Sequence, residues 1–293
     1  MDFSTILELY YSHLKSTRTV KEYSYIINLF ETFTTKNFLD CNQEDALSFS
    51  KHMAGLAAAG EISRKTYYSR ISVLNSISSY IENNNLIPDY HNIFKRIIVL
   101  IDNEHVTVSD LPDFHDLSCI LEAAKSNLRD FTIFSLCIKC GLSCSQLCSL
   151  NEDSLLYDNE NKLSGLRIIS GRNYNDILLP DDICAILTSY LSEFSIDNDS
   201  LFKNAHGKPL KIRTLQRILQ KYVVECKCRL NRSNITFQQL RHAAIFYMKH
   251  GGASDEDIAK YTDLSVRTIL RYNKISEGLP DAATNSVLSI NYQ

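Results

Sequence analysis

The segment 238–252 and a tyrosine that follows it contain residue types that could act on a phosphate. Arg241 and His242 stand directly before an apolar run, and Tyr272 comes thirty-one residues after Arg241. The charged, forked head of an arginine suits phosphate oxygens, and a tyrosine hydroxyl can serve as a nucleophile in covalent catalysis. An arginine paired with an acidic neighbour and a half-buried helix tyrosine are the structural alternatives, because the chain has 16 tyrosines. Whether Arg241 and Tyr272 are catalytic or structural therefore depends on the residues around them.

Four of the 9 cysteines form a close cluster, and a zinc site is one interpretation of it. They are Cys137, Cys140, Cys144 and Cys148, at spacings of three, four and four that place them on one side of a helical stretch. The other interpretation is that cysteine serves as a small buried hydrophobic residue. Gly141 interrupts the cluster, and structural zinc sites usually combine two separated ligand pairs. We therefore favour buried thiols and expect neither a metal ion nor another cofactor.

Charge is distributed unevenly along the chain, although the net charge is only −3. Segment 102–199 contains six Lys and Arg residues against seventeen Asp and Glu residues. Segment 203–249 contains eleven Lys and Arg residues and a single acidic one, Glu225. Such a local excess of positive charge is typical of a surface that binds a polyanion. A solvated helix face that balances the acidic segment is the alternative.

Length and composition exclude several classes of protein. A chain of 293 residues is long enough for two domains. No apolar run approaches the roughly 20 residues that span a membrane, and the first residues lack the basic and cleavage regions of a signal peptide. The cysteines show no spacing typical of a secreted disulfide framework. These features predict a cytoplasmic protein with reduced thiols and no contact with membranes.

Residues 1–87 are predicted to form four helices. The first lies near 3–14, the second follows a cap at Thr19, the third follows Asn42, and the fourth begins near residue 63. One face of the fourth helix is apolar. The opposite face presents Arg64, Lys65, Tyr68 and Arg70. Basic and aromatic side chains on one face can reach phosphates and bases, and a plain solvated face is the alternative.

The second half of the chain is again mainly helical. Segment 88–112, bracketed by Pro88 and Pro112, has mixed composition and is predicted to be a linker. In the rest, 113–293, the strongest β signal is a hairpin whose strands, 164–170 and 175–180, flank a turn rich in Gly and Asn. Helices are predicted at 182–194, 211–229 and 238–250. The fold class is therefore mainly α, with two domains and a small antiparallel β-hairpin or sheet in the second.

This order of elements, with Leu-Arg-His before a helix and a tyrosine about thirty residues later, resembles the tyrosine recombinase (phage integrase) family. The resemblance extends from about residue 5 to 276. It implies that 1–87 is a four-helix, SAM-like, core-binding domain and that 113–293 has the integrase catalytic fold. It also implies a tyrosine that attacks a DNA phosphate, two arginines that stabilise the developing charge, a hairpin lysine, and histidine or tryptophan groups that manage protons.

The resemblance assigns six roles to positions of this chain, and two of the six expected residue types are retained. Arg241 stands at the second arginine and Tyr272 at the nucleophile. The other four positions are substituted: Ser143 at the first arginine, Asn175 at the hairpin lysine, Gln238 at the histidine before Arg241, and Asp263 at the later histidine or tryptophan. Lys139 and Arg172 are the nearby cations that could compensate.

The substitutions predict that recombination chemistry is lost. Ser143 cannot neutralise a phosphate, and Asp263 would repel one. Loss of one oxyanion donor typically costs ~3 kcal/mol. The leading hypothesis is a sequence-specific DNA-binding protein on a recombinase scaffold, used as a regulator, such as a repressor, of a prophage or mobile element. The alternatives are an active, divergent recombinase that performs DNA strand exchange and an accessory subunit that works through a protein partner.

Double-stranded DNA is the expected partner. The predicted DNA contacts are Arg64, Lys65, Tyr68, Arg70, Arg172, Lys211, Arg213, Arg217, Lys221, Arg241 and His242. The tail after Tyr272 is predicted to form a short helix that docks on a neighbouring protomer or on its own domain, which would give a homo-oligomer on DNA. A frayed terminus is the alternative.

Overall fold

The computed structural model describes residues 1–14, 16–97, 111–170, 173–194, 200–270 and 272. The chain divides into two compact units, 1–104 and 105–293. Helices dominate, and the strands form one small antiparallel sheet in the second unit. The predicted fold class, mainly α with a small antiparallel sheet, is therefore confirmed. The predicted tail helix after Tyr272 and the hairpin turn with Arg172 lie outside the described residues.

The first unit contains four helices, and polar caps set where three of them begin. The helices are α1 (Phe3–Ser12), α2 (Thr17–Thr34), α3 (Gln43–Ala58) and α4 (Arg64–Asn83). Side chains of Asp2, Asn42 and Ser63 accept hydrogen bonds from backbone N–H groups in the first turns of α1, α3 and α4. The second helix begins after Ser16, not after the predicted cap at Thr19.

The chain that follows α4 packs onto the core of the first unit. Phe94 is buried, and its ring centroid lies 5.2 Å from that of Phe30. The Asn92 amide donates hydrogen bonds to Asn75 at 2.8 Å and to Ser79 at 2.7 Å, both on α4. Residues 88–97 were predicted to begin a linker, but they contribute the side chain of Phe94 to this core. Burial of this apolar ring removes it from contact with water.

The second unit is built around a buried helix. Its helices are α5 (Phe114–Ala124), α6 (Leu128–Cys140), α7 (Cys144–Ser149), α8 (Asp181–Glu193), α9 (Ile212–Glu225), α10 (Phe237–His250), α11 (Asp255–Thr262) and α12 (Val266–Ile269). All residues of α6 from 131 to 138 are buried, which matches a helix that is apolar on every side. None of the helices in the described parts of the chain combines the length and apolarity needed to cross a membrane.

The sheet contains the strands β1 (Leu155–Tyr157), β2 (Leu163–Ser170) and β3 (Asn173–Leu178) in that order, all antiparallel. The hairpin of β2 and β3 matches the sequence-based prediction. Leu166 and Ile177 face each other in the register, and both are buried. The third strand, β1, was missed because three residues are too few to show an alternating pattern.

Gly141 ends α6 in a conformation that favours glycine. Its φ is 64°, and its N–H donates to the Cys137 carbonyl at 3.0 Å. A Cβ built on Gly141 would lie 3.1 Å from Cγ2 of Thr262, at the end of α11. The turn that leads into α7 therefore requires both a left-handed backbone and a close approach to α11.

Replacement of Gly141 by alanine is expected to lower the free energy of unfolding more than the same change at Gly207. Gly207 also has a positive φ, 70°, but no atom lies within 4 Å of its Cβ position. A left-handed alanine costs about 1–2 kcal/mol at either site, and crowding against Thr262 adds to the cost at Gly141 alone. Urea unfolding of both variants checks this, and equal losses would contradict the packing of Gly141 on α11.

Candidate functional site

A cleft of about 730 Å³ opens in the second unit between α7, α9, α10 and the segment that includes α12. Four of the six positions assigned by the family resemblance line it: Ser143, Gln238, Arg241 and Tyr272. Residues that are far apart in the sequence thus converge on one surface. The rest of the described lining is mostly hydroxyl, amide and apolar: it includes Ser145, Gln216, Gln220, Thr236, Thr268, Ile212, Leu219, Ile245 and Leu264.

The start of α10 places Gln238, Arg241 and His242 at the cleft. Thr236 accepts a hydrogen bond from the Gln239 N–H at 3.3 Å, and the Gln239 side chain accepts one from the Thr236 N–H at 2.9 Å. This reciprocal cap fixes the first helical turn. Leu240 on the opposite face is fully buried, so the register of the helix directs Gln238 and Arg241 toward the cleft.

Arg241 is half-buried and only partly hydrogen-bonded. Its Nη2 donates to the carbonyl of Thr262, and no described residue accepts a hydrogen bond from its buried Nε. Burial lowers the pKa of Arg241, while Cys137, Tyr272 and Asp263 act in the opposite direction. An arginine stays charged in spite of such a shift. The guanidinium is therefore a poorly solvated cation that a bound anion would stabilise.

Tyr272 is buried, with 4% of its surface exposed, and it packs against Ile245, Phe246 and Ile269. Its hydroxyl is hydrogen-bonded to Nδ1 of His242, and the two ring centroids lie 5.7 Å apart. His242 was predicted to contact DNA, and in the structure its ring contacts the retained tyrosine. In the sequence, the only sign that His242 belongs to the site is its position next to Arg241.

Ser143 caps a helix. Its Oγ accepts a hydrogen bond from the Gln146 N–H at 3.3 Å, and the Gln146 side chain accepts one from the Ser143 N–H at 2.8 Å. The Ser145 hydroxyl lies 3.0 Å away. Where the resemblance implies an arginine, the cleft thus has a short neutral hydroxyl that already serves the start of α7.

The remaining two assigned positions, Asn175 and Asp263, do not occur among the described residues that line the cleft. The Asn175 amide, on β3, donates to the Lys260 carbonyl of α11. Asp263 has a φ of 56° and ends α11. The next residue, Leu264, lines the cleft instead. The first of these residues therefore ties the hairpin to α11, and the second closes that helix.

Lys139, one of the two cations proposed as substitutes, does not occur among the described residues that line the cleft. Lys139 forms an ion pair with Asp182 of α8, and only 13% of its side chain is exposed. Arg172 lies outside the described residues. Among the described residues that line the cleft, Arg241 is the only lysine or arginine.

The cysteine cluster contributes thiols to the core and to the cleft. Cys137 and Cys140 of α6 are fully buried, and burial raises the pKa of Cys140 to about 12. Cys144 lines the cleft, and burial raises its pKa to about 11. Within the described ranges, no group of three or more His, Cys, Asp or Glu residues is arranged to hold a metal ion. The full burial of Cys137 and Cys140 fits a role for these two thiols as small hydrophobic groups.

A cationic face runs along α9 beside the cleft. It consists of Arg213, Arg217 and Lys221, which follow each other at four-residue spacing and are exposed, and Lys211 directly before α9 is exposed as well. No ion pair joins these four residues to an acidic group in the described part of the chain. The α9 cationic face is thus available to a polyanion.

In the first unit, the predicted basic face of α4 is partly exposed to solvent. Arg64, Lys65 and Tyr68 are exposed. Arg70 is half-buried, and its Nη1 donates to the Met53 sulfur at 3.3 Å. Three of the four residues predicted on this face therefore have exposed side chains, and Arg70 packs toward α3.

Comparison with known proteins identifies the family. The phage integrase family matches residues 112–277, more than half of the chain. The chain therefore belongs to the phage integrase family. It is similar to a tyrosine recombinase of Pseudothermotoga lettingae, with 24% identity over 286 residues that cover 89% of this chain and 90% of that protein.

Two solved structures share the fold. The Tn1549 transposon integrase in complex with a circular intermediate DNA has a TM-score of 0.71 and 16% identity, covering 95% of this chain and 96% of that chain. A lambda integrase dimer bound to a COC′ core site has a TM-score of 0.69 and 15% identity, covering 96% of this chain and 98% of that chain.

Proposed function

We propose that this protein binds duplex DNA sequence-specifically and no longer exchanges DNA strands. Its use would be regulation, such as repression, of a prophage or mobile element. The observation that carries the proposal is the cleft, in which Arg241 is the only lysine or arginine among the described lining residues. The DNA complexes of the similar Tn1549 and lambda integrases support DNA as the partner.

A cleft with one guanidinium is poorly suited to phosphoryl transfer. Negative charge develops on the non-bridging phosphate oxygens during attack, and donors aimed at that charge usually supply much of the rate. Ser143 and Gln238 offer only neutral groups there, and Ser143 already caps α7. Loss of one donor typically lowers the rate about 100- to 1,000-fold. Binding needs less, because one cation and neutral donors can hold a phosphate without stabilising a transition state.

One observation favours a second candidate, an active recombinase. The Tyr272 hydroxyl is hydrogen-bonded to His242 and lies in the same cleft as Arg241, so a nucleophile has a proton acceptor and a cation nearby. A DNA substrate with a nick that traps the covalent intermediate separates the candidates. We expect no phosphotyrosyl adduct, and an adduct that disappears in the Tyr272→Phe variant would establish the second candidate.

DNA affinity is expected to fall steeply with salt, and to depend on the α9 cationic face. Each neutralised phosphate contributes a slope of about −0.9 to log K against log salt. Replacing Arg213 and Arg217 together by alanine should weaken binding to all sequences alike and make the slope shallower by about two units. Fluorescence anisotropy over a range of salt concentrations measures both quantities.

The matched control replaces Lys162 and Arg167 by alanine, which changes the net charge by the same amount. Both side chains are exposed and are already paired, with Glu160 and Asp176 respectively. This variant should bind DNA like the unmodified protein. A flat salt dependence, or equal losses in the two double variants, would contradict a specific electrostatic role for α9.

A further inference from the structure

The exposed face of α9 carries amides between its cations. Gln216 lies between Arg213 and Arg217, and Gln220 directly precedes Lys221. These residues share the solvent side of the helix, while Leu215, Leu219, Tyr222 and Val223 are buried on the other side. A face with this composition offers both charged groups for phosphates and neutral groups that can distinguish bases.

The two amides on this face differ in what they contact. The Gln220 Nε2 donates to the Ile235 carbonyl at 2.8 Å, so its amide serves the protein. Gln216 is exposed, and its amide forms no hydrogen bond with any residue in the described ranges. It has one donor group and one acceptor group, and both are available to a ligand.

Gln216 lies where DNA held by the proposed phosphate contacts would come close. It lines the same cleft as Arg241, and the arginines of the α9 cationic face flank it at positions 213 and 217. The major groove of DNA admits an α-helix, and phosphate contacts fix the register of such a helix. Side chains that lie between phosphate-binding residues on the same face then point at base edges.

We infer that Gln216 reads the major-groove edge of a base pair and selects adenine at one position of the DNA site. A glutamine amide pairs with adenine through N6 and N7, one group donating and the other accepting. The inference rests on the proposed DNA-binding function and deepens it. Gln238 also lines the cleft, but it lies one turn before Arg241 on α10, on the side proposed to bind a phosphate.

Selection from a random duplex library tests this role, because the protein itself picks its site from all sequences. The purified full-length protein is expected to enrich a motif that contains at least one strongly preferred adenine. The Gln216→Ala variant should lose the preference at one position by roughly 5- to 150-fold, the range for one bidentate pair, and keep the other positions. The Gln216→Glu variant should shift the same position toward cytosine, because a carboxylate accepts from cytosine N4.

Gln43→Ala is the matched control, since it removes an exposed amide of equal size from α3, outside the cleft. It should leave the whole motif unchanged, and circular dichroism melting shows that each variant is folded. An unchanged motif in both Gln216 variants, or a uniform loss of affinity for all sequences, would overturn the inference without contradicting the proposed DNA-binding function. A protein that enriches no motif at all contradicts the proposed function instead, and the inference with it.

Discussion

Replacement of Arg241 by alanine is expected to weaken DNA binding roughly 10- to 150-fold, which corresponds to about 1.5–3 kcal/mol for a hydrogen bond to a charged group. Arg241 lines the cleft, and its Nε has no acceptor among the described residues. Since Nη2 is held by the Thr262 carbonyl, the orientation of the guanidinium is set before DNA arrives. Titration of a fluorescent duplex with the variant measures the loss.

Two further variants separate the effect of the Arg241 charge from that of its forked shape, and DNA binding from catalysis by Tyr272. Arg241→Lys should recover part of the affinity, because it restores the charge without the fork. Tyr272→Phe should bind DNA normally, because phenylalanine keeps the buried ring. The variant loses only the hydroxyl that is hydrogen-bonded to His242, which lowers the free energy of unfolding by about 1 kcal/mol. If Tyr272→Phe abolishes biological function while binding persists, the tyrosine is still a nucleophile and the substituted positions are not disabling.

Most of the fold could be predicted from local pattern. The apolar face of α4 is a signal within a few residues, and the structure has α4, α9 and α10 close to the predicted places. The hairpin was visible because a turn rich in Gly and Asn separates two apolar runs. Strand β1 is only three residues long and pairs with β2, so its existence depends on the sheet.

The site was predictable in part. Ser143, Gln238, Arg241 and Tyr272 were assigned through a family resemblance, and the structure brings them to one cleft. Contacts between distant elements could not be predicted. The hydrogen bond of His242 to Tyr272 joins residues 30 positions apart, and the pair of Lys139 with Asp182 spans 43 positions. Such contacts depend on how helices pack, which local sequence does not encode.

Replacement of Asp130 by alanine is expected to lower the free energy of unfolding by about 3–5 kcal/mol, the range for removal of one partner from a buried ion pair. Asp130 of α6 is 5% exposed, and its Oδ1 accepts from Nε and Nη2 of Arg129 at 2.9 and 2.7 Å. Its Oδ2 accepts from the Tyr222 hydroxyl of α9 at 3.1 Å. Urea unfolding followed by circular dichroism measures the loss.

The loss is large because the half-buried Arg129 and the buried Tyr222 both lose their partner. Arg129 also donates to the Lys203 carbonyl at 2.9 Å, so it stays in place with an uncompensated charge. Burial, and next the charge of Asp130, raise the pKa of Tyr222, so its phenol stays protonated and needs an acceptor. Tyr222 lies on the buried side of α9, behind the α9 cationic face. The variant should therefore also expose the backbone amides of α9 to hydrogen exchange.

Asp176→Ala is the matched control, because Asp176 also accepts two hydrogen bonds from one arginine, Arg167, at 2.8 and 2.7 Å. These two side chains are 47% and 45% exposed, so water solvates the arginine when its partner is removed. We expect no resolvable change in stability and no change in hydrogen exchange of α9. Similar losses in the two variants would mean that the Asp130 network does not hold α9, and that the position of the α9 cationic face depends on apolar packing alone.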